Sequence, residues 1–375
     1  MKHDILIVGG GLTGISLACA LRHTKLHIGI INPPTQIPDN RAIALSHGSQ
    51  QLFVKYNLWQ TLAPTAMPIK TVHVSDQGHF GITRFTAAEA RVPALGYVIP
   101  LQTLQNTISQ SLTHIDCISN TVQSMKPLEN GWELQLQDGQ KKTARLIVAA
   151  DGANSTIRQL QNIRVVEQLS GQTALISNIK LSRAHTHTAY ERFTPNGAIA
   201  MLPIAEDLYT LVWIVPTEAA EKYLALDTPE FLAKLQRAFG YRLGKFSDAT
   251  RRFTHTLKQS YAEEQIKHNL VLLGNAAHTL HPIAAQGFNL GLRDIDCLAR
   301  IIEQDFENPN YLEKYVKNRI TDQKNLMSVT NGLMKIFAQP SPLIRIPCNL
   351  GLLALDLPSP LKQAACRYGM GLGAQ

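Results

Sequence analysis

What this chain lacks narrows it first. No uninterrupted apolar stretch in its 375 residues approaches the roughly 20 that a membrane-spanning helix needs. Cysteine is scarce: Cys19, Cys117, Cys297, Cys348 and Cys366 are odd in number and far apart, and no CxxC pair exists. That argues against a disulfide framework and a zinc ribbon, and fits a reducing cytoplasm. Aromatic residues make up only 6 % of the chain, and the Lys and Arg behind its formal charge of +8 are scattered, densest over residues 242–258. Nucleic-acid binders concentrate basic runs with interleaved aromatics, so none is expected as a partner; an anionic membrane face stays compatible with the charge. The first apolar run, residues 5–8, stops at glycines and not at a small-residue cleavage site, so no signal peptide is expected. What is present is a chain 45 % hydrophobic and 17 % charged, long enough for two domains with a large core.

Residues 4–8 form a short aliphatic run ending at Gly9, the pattern of a buried parallel strand. Residues 13–23 have helical spacing and residues 27–31 are apolar again, completing a strand-turn-helix-strand unit. Asn40 to Leu45 is the next landmark, leading into a helix through residue 56. Short alternating strands are expected over 69–85, a strand at 97–99 and a helix at 101–112. Asn130-Gly131 and Asp138-Gly139 are hairpin signals around 121–147. Residues 146–150 return to an aliphatic strand. Strands are expected at 173–181, 190–194, 198–203 and 209–215, a helix at 229–239, a core strand at 270–273 and a helix at 289–303. Beyond that the chain reads as helical, broken by Pro340, Pro342, Pro347, Pro358 and Pro360. The core strand at 270–273 follows a region of different character. This predicts an α/β dinucleotide domain assembled from discontinuous pieces, with an α+β region inserted.

Gly9-Gly10-Gly11-Leu12-Thr13-Gly14 fits G-x-G-x-x-G between strand and helix. Gly9 permits the tight turn, Gly11 lets backbone approach a pyrophosphate, and Gly14 lets helix and strand pack closely. The phosphates then face unpaired N–H groups at a helix N-terminus. The acid that usually closes the second strand is replaced by Asn32, which can accept a ribose hydrogen bond but carries no charge. The motif alone does not separate FAD from NAD.

Two further segments do. Ala149-Ala150-Asp151-Gly152-Ala153-Asn154-Ser155-Thr156-Ile157-Arg158 follows a buried strand, and residues 273–294 carry Gly274-Asn275-Ala276-Ala277-His278, Pro282 and Gly287-Phe288-Asn289 from strand through loop to helix. With GxGxxG these resemble, in order and spacing, the three fingerprints of the class A flavoprotein monooxygenases. Further stretches, including Glu191-Arg192-Phe193-Thr194, Ala200-Met201-Leu202-Pro203 and Leu211-Val212-Trp213, narrow the resemblance to the ubiquinone-biosynthesis hydroxylases, of the 2-octaprenyl-6-methoxyphenol hydroxylase type. It covers most of the chain and thins in the C-terminal tail.

The resemblance implies a Rossmann-like FAD-binding domain (1–68 with 96–168 and 262–330), an inserted β-sheet substrate domain (69–95 with 169–261) and a helical C-terminal segment (331–375). It implies FAD held by Gly9, Gly11, Gly14, Asn32, Arg41, Asp151, Gly152, Gly274, Asn275, Pro282, Gly287, Phe288 and Asn289. NAD(P)H and O2 are the implied co-substrates. The implied reaction is hydroxylation of a polyprenylated phenol through reduced flavin and a C4a-hydroperoxide. Asn275 stands where the wider family has an aspartate. Backbone amides at 287–289 are suited to stabilise charge on reduced flavin. A small soluble phenol as substrate, and a non-catalytic scaffold in a quinone-biosynthesis complex, stay open as alternatives. No catalytic base and no metal is assigned: His278 and His281, at i and i+3, lack the intervening glutamate of a zinc helix. His73, Phe193, Met201, Pro203 and Trp213 are offered as an apolar substrate lining, against the commoner role of core residues. The C-terminal aliphatics mixed with Lys and Arg suit either a lipid-touching surface or helices packed on the flavin domain. The expected location is the cytoplasm, soluble or peripheral at the inner membrane face.

Overall fold

A computed structural model describes residues 2–33, 41–337, 339 and 341–373; Asn40 and Pro340 lie outside the described residues. Among the described residues the strands form sheets of seven, nine and three.

The seven-stranded sheet is built on His3–Val8, whose aliphatic side chains are buried. Ile28–Asn32 pairs parallel on one side of it and Lys141–Ala149 on the other. The later half of Lys141–Ala149 then pairs parallel with Leu270–Leu272, the core strand that returns after the inserted region. Its earlier half belongs to the antiparallel meander with Gly131–Leu136 and Val122–Leu128, joined through the expected hairpin glycines, Gly131 and Gly139, both at positive φ. Helices Leu12–Leu21 and Gln286–Asp305 pack on one face, joining Leu17, Leu21, Leu292, Ile295 and Leu298 to Ile5, Ile7 and Val271 in one core. The second helix begins earlier than the expected residue 289.

The nine-stranded sheet centres on Val165–Leu181. This strand is longer than the expected 173–181 because residues 165–170 are mostly exposed and carry no apolar alternation; they become strand by pairing with Phe253–Ala262. That partner lies partly in the basic stretch and goes unread in the sequence for the same reason. Thr71–Asp76 and Ile82–Thr86 join the far edge, Thr71–Asp76 running parallel to Thr188–Thr194. The small sheet, Ala42–Ser46 with Gly96–Pro100 and Met67–Ile69, bridges the two larger ones.

Three helices close the chain: Tyr311–Phe337, Pro342–Asp356 and Pro360–Gly369. Pro342 and Pro360 sit at helix starts, where a missing N–H costs nothing. Pro347 does not break the chain as expected: it lies inside Pro342–Asp356. Its missing bond would have gone to the carbonyl of Leu343, a residue 87 % exposed, so solvent can take that carbonyl and the usual penalty is softened. No described helix is long and apolar enough to cross a membrane.

Candidate flavin site

Parallel register carries the three sequence segments to one edge. Val8 lies opposite Ile31 and Ala149, and Ala149 opposite Leu272. Just past those ends, Gly9 N donates to Ile31 O (2.8 Å), Ala150 N to Val8 O (2.8 Å) and Leu273 N to Ala149 O (2.9 Å). Gly9, Asp151 and Gly274 therefore emerge side by side at the carboxyl ends of parallel strands, where α/β sheets bind ligands.

The glycines there are required by contact. Gly9 has φ +112°, and a Cβ on it would lie 2.4 Å from Ala150 O; one on Gly14 would lie 1.9 Å from Gly9 O. Gly11 is different: a Cβ there meets nothing within 4 Å, so its freedom serves whatever approaches from outside. Gly274, at φ +59°, presses on the first segment, with a Cβ position 2.6 Å from Thr13 Oγ1, and a Cβ on Gly291 of the following helix would reach Gly274 Cα at 4.0 Å. Arg158, buried among these loops, ties the second segment to the third by donating to Ala153 O (2.7 Å) and Ala276 O (2.9 Å). It stands in the quoted motif, yet its two-carbonyl clamp has no sequence signal beyond being an arginine.

Two helix N-termini open onto this edge. Leu12–Leu21 is preceded by Gly11 and Gln286–Asp305 by Ala285, at φ 50°; neither has a side-chain cap or an acid in its first turn. Their leading amides and dipoles are available to negative charge. Asn32 Oδ1 accepts from Gly10 N at 3.0 Å and borders a cleft of about 310 Å³ lined also by Ile15, Ile30, Leu112 and Ile118, a polar mouth on an apolar slot. Asp151 Oδ2 accepts from Ile157 N (3.1 Å), while its Oδ1 is buried with no hydrogen-bond partner among the described residues. A cradle tightened by Gly9 and Gly14, two uncapped helix starts and a spare carboxylate oxygen fit FAD, whose pyrophosphate needs amides and whose ribose and ribityl hydroxyls need acceptors.

Gly152 has φ +85° beside open space; Asn275 is exposed, and Pro282, Gly287 and Phe288 are half-buried along the loop and first helical turn. Arg41 is exposed at the start of Ala42–Ser46, close enough to His255 that, after burial, its charge helps hold that imidazole below its ordinary pKa. The side chain of Asn289 accepts from Ser46 N (2.8 Å) and donates to Ala44 O (3.0 Å) and Ala285 O (2.8 Å), bonds that leave aside the backbone amide on which the expectation rested. It bolts the small sheet to the helix start. His278 donates toward Asp294, and His281 sits against Gln172 Oε1 at 3.3 Å.

The apolar lining divides. One face of the nine-stranded sheet carries Leu175, Ile199, Met201, Leu211 and Trp213 beneath Phe231, Leu235 and Phe239 of the helix Thr228–Phe239. His73 belongs to that side through Tyr190, 5.3 Å between ring centroids, and strand alternation puts Pro203 there with Met201. Of the five expected wall residues only Phe193 lies on the opposite face, clustered with Ala198, Ile214, Ile283, Phe337 and Leu352. Ile283 comes from the flavin-segment loop, so this second face is the one that meets the cofactor edge. Period-2 alternation separates these sets, but nothing in the sequence says which set helices cover.

Residues 2–329 match the family described as FAD binding domain. Ubiquinone hydroxylase UbiL of Rhodospirillum rubrum is 32 % identical over 384 residues, 98 % of this chain and 89 % of that protein. The 3-demethoxyubiquinol 3-hydroxylase of Escherichia coli is 28 % identical over 387 residues, 98 % of each chain. Among solved structures, Klebsiella pneumoniae HpxO complexed with FAD and uric acid shares the fold at a TM-score of 0.81 and 16 % identity, over 100 % of this chain and 98 % of that one. The matched span and the site geometry lead to one assignment: this chain belongs to the FAD binding domain family, as an FAD-dependent monooxygenase.

Proposed function

We propose that this enzyme hydroxylates the aromatic ring of a polyprenylated phenol in ubiquinone biosynthesis, with NAD(P)H and O2 as co-substrates. The observation that carries this reading is the meeting of three strand ends and two uncapped helix starts beside an apolar sheet face. The names of the relatives supply the substrate class. FAD, when bound, supplies the electron transfer from NAD(P)H and the activation of O2 for hydroxyl transfer.

The chain's own residues do the rest. Gly9, Gly11 and Gly14 take the pyrophosphate against the first helix start, Asn32 takes the adenosine ribose, and Asp151 and Gly152 with Gly274 and Asn275 hold the ribityl side. Amides of Gly287 and Phe288, presented by the loop from Pro282, favour negative charge on the reduced ring. Arg41, exposed and near His255, stands where a reductant would approach. Phe193, Ala198, Ile214 and Ile283 exclude water beside the reacting edge and accept an apolar substituent. We read residues 1–68 with 96–168 and 262–330 as the FAD-binding unit, 69–95 with 169–261 as the substrate unit, and 331–375 as an appended segment. A prenylated substrate calls for contact with lipid or a carrier within a biosynthetic assembly, at the inner face of the cytoplasmic membrane.

Removing the gene and identifying the accumulated intermediate by mass spectrometry tests the assignment. A prenylated phenol lacking one hydroxyl is expected; an unchanged quinone pool would transfer the activity to a soluble phenol.

A further inference from the structure

The helix Pro342–Asp356 is built inside out. Its polar residues face the protein: Arg345 and Asn349 are 8 % and 0 % exposed. Asn349 accepts from Gly81 N (2.7 Å) and donates to Asp76 Oδ2 (3.0 Å), Leu352 O accepts from Thr83 Oγ1, and Asp356 accepts from Arg84 N (2.7 Å). The outer face carries Leu343, Ile346, Leu350 and Leu353, spaced three and four apart, with Leu357 just past the helix end, all between 40 % and 87 % exposed. These pins fix the helix about its axis. Rolling the leucines inward would break a buried amide–carboxylate pair and push Asn349 away from Gly81, whose Cβ position lies 2.3 Å from Asn349 Oδ1. The apolar stripe is therefore held outward, and the flanking helices expose Ile336 and Leu361. A contiguous exposed patch of this kind marks an interaction surface.

Charge selects the partner. Of the five basic side chains in residues 323–375, Arg345 and Lys362 are buried, Arg345 facing the protein and Lys362 paired with Glu89. Lys324, Lys335 and Arg367 are exposed, while the neighbouring acids Asp356 and Glu89 are paired with Arg84 and Lys362. Leucines with exposed cations nearby, and no unpaired acid among the described residues from 323 onward, match an anionic bilayer, whose surface attracts the cations while its acyl region takes the leucines. The same helix's inner edge, Leu352 with the half-buried Cys348, joins the apolar cluster of Phe193, Phe337 and Ile283. One helix, about 10 Å thick, separates the outer stripe from the flavin side of the sheet.

We propose that Pro342–Asp356 and its flanks seat the enzyme on an anionic phospholipid surface, so that a lipid-resident substrate passes over or beside this helix to the Phe193–Ile283 cluster. The seating is read from the surface itself; its purpose rests on the prenylated-substrate reading. The test is co-sedimentation of the FAD-loaded full chain with phosphatidylcholine vesicles, with and without phosphatidylglycerol. Binding is expected on the anionic vesicles, weakened by salt, and reduced about tenfold per leucine in Leu343→Asp and Leu350→Asp at unchanged flavin content. Lys335→Glu with Arg367→Glu should erase the preference for phosphatidylglycerol. Wild-type protein remaining in the supernatant overturns the proposal. So does light scattering that shows an oligomer which the leucine variants convert to monomer, because the stripe would then be a subunit contact. Because no substrate is present in these assays, their failure is separate from failure of the hydroxylase reading, which the quinone intermediate decides.

Discussion

Asp294 and His278 meet Oδ2 to Nε2 at 2.7 Å where neither is more than 2 % exposed. Arg319 Nε donates to the other carboxylate oxygen at 2.6 Å, and Gln323 adds a bond at 3.1 Å. This cluster locks the loop after Gly274 to the helix beginning at Gln286 and to the long helix Tyr311–Phe337. Burial alone would raise the carboxyl pKa, but the bonds from His278 and Arg319 outweigh it and hold Asp294 below its ordinary value.

Replacing Asp294 with Ala removes the acceptor of Arg319 Nε, His278 and Gln323 and leaves the guanidinium to Asp322 alone, so we expect a loss of about 3 kcal/mol by urea denaturation. The sign for pH follows from the depressed pKa. The contribution is present above the unfolded carboxyl value near 4 and disappears as pH falls through the lower folded value. A variant as stable as wild type would show the cluster to be dispensable.

His281 works at higher pH. Burial holds its imidazole down to about 4, and its Nδ1 is buried without a partner among the described residues. The unfolded chain takes up this proton first, so stability is level above about 6.5 and falls as pH drops from there toward 4. The expected loss is on the order of 3 kcal/mol. His281→Gln should flatten that part of the stability profile; an unchanged slope there refutes the assignment.

Gly14→Ala and Gly11→Ala should part company. The first has no room and should unfold or lose solubility. The second meets nothing within 4 Å, so its melting temperature without flavin should match wild type while FAD absorbance after desalting is lost. Full retention of flavin by Gly11→Ala would remove the phosphate cradle from this position.

Asn32→Asp keeps the acceptor for Gly10 N and adds charge toward ribose hydroxyls, so flavin titration should show FAD bound about tenfold more tightly. Equal or weaker binding would mean that Asn32 serves the loop alone.

Asn289→Ala removes two hydrogen bonds between the small sheet and the helix start and a third within that start, to Ala285 O. A stability loss of about 2–4 kcal/mol is expected, on the order of 1 per bond plus unpaired amide groups. FAD content should fall alongside it. Asn289→Asp, which keeps the acceptor for Ser46 N, should recover part of the stability. Loss of flavin with no change in stability would instead mean that the Asn289 side chain itself touches the cofactor.

The backbone chemistry of the flavin edge was legible in the residues themselves. A strand that ends at Gly9, a helix that starts without a cap and a second strand that ends at Asp151 are local patterns, and parallel pairing leaves them few arrangements. The helix-covered side of Met201 and Trp213 was not legible, because alternation assigns two faces without saying what lies on either. Nor was the bolt formed by Asn289, whose three partners lie in Ala42–Ser46 and at Ala285. Local chemistry alone puts three glycine-bearing segments at the ends of core strands, since short aliphatic runs must be buried and glycine best fits the turns after them. Which face of the second sheet looks at those ends, and that Pro342–Asp356 turns its leucines outward, was settled by long-range packing. Both depend on contacts between residues far apart in the chain, Ile283 with Phe193 and Asn349 with Gly81, which no local spacing encodes.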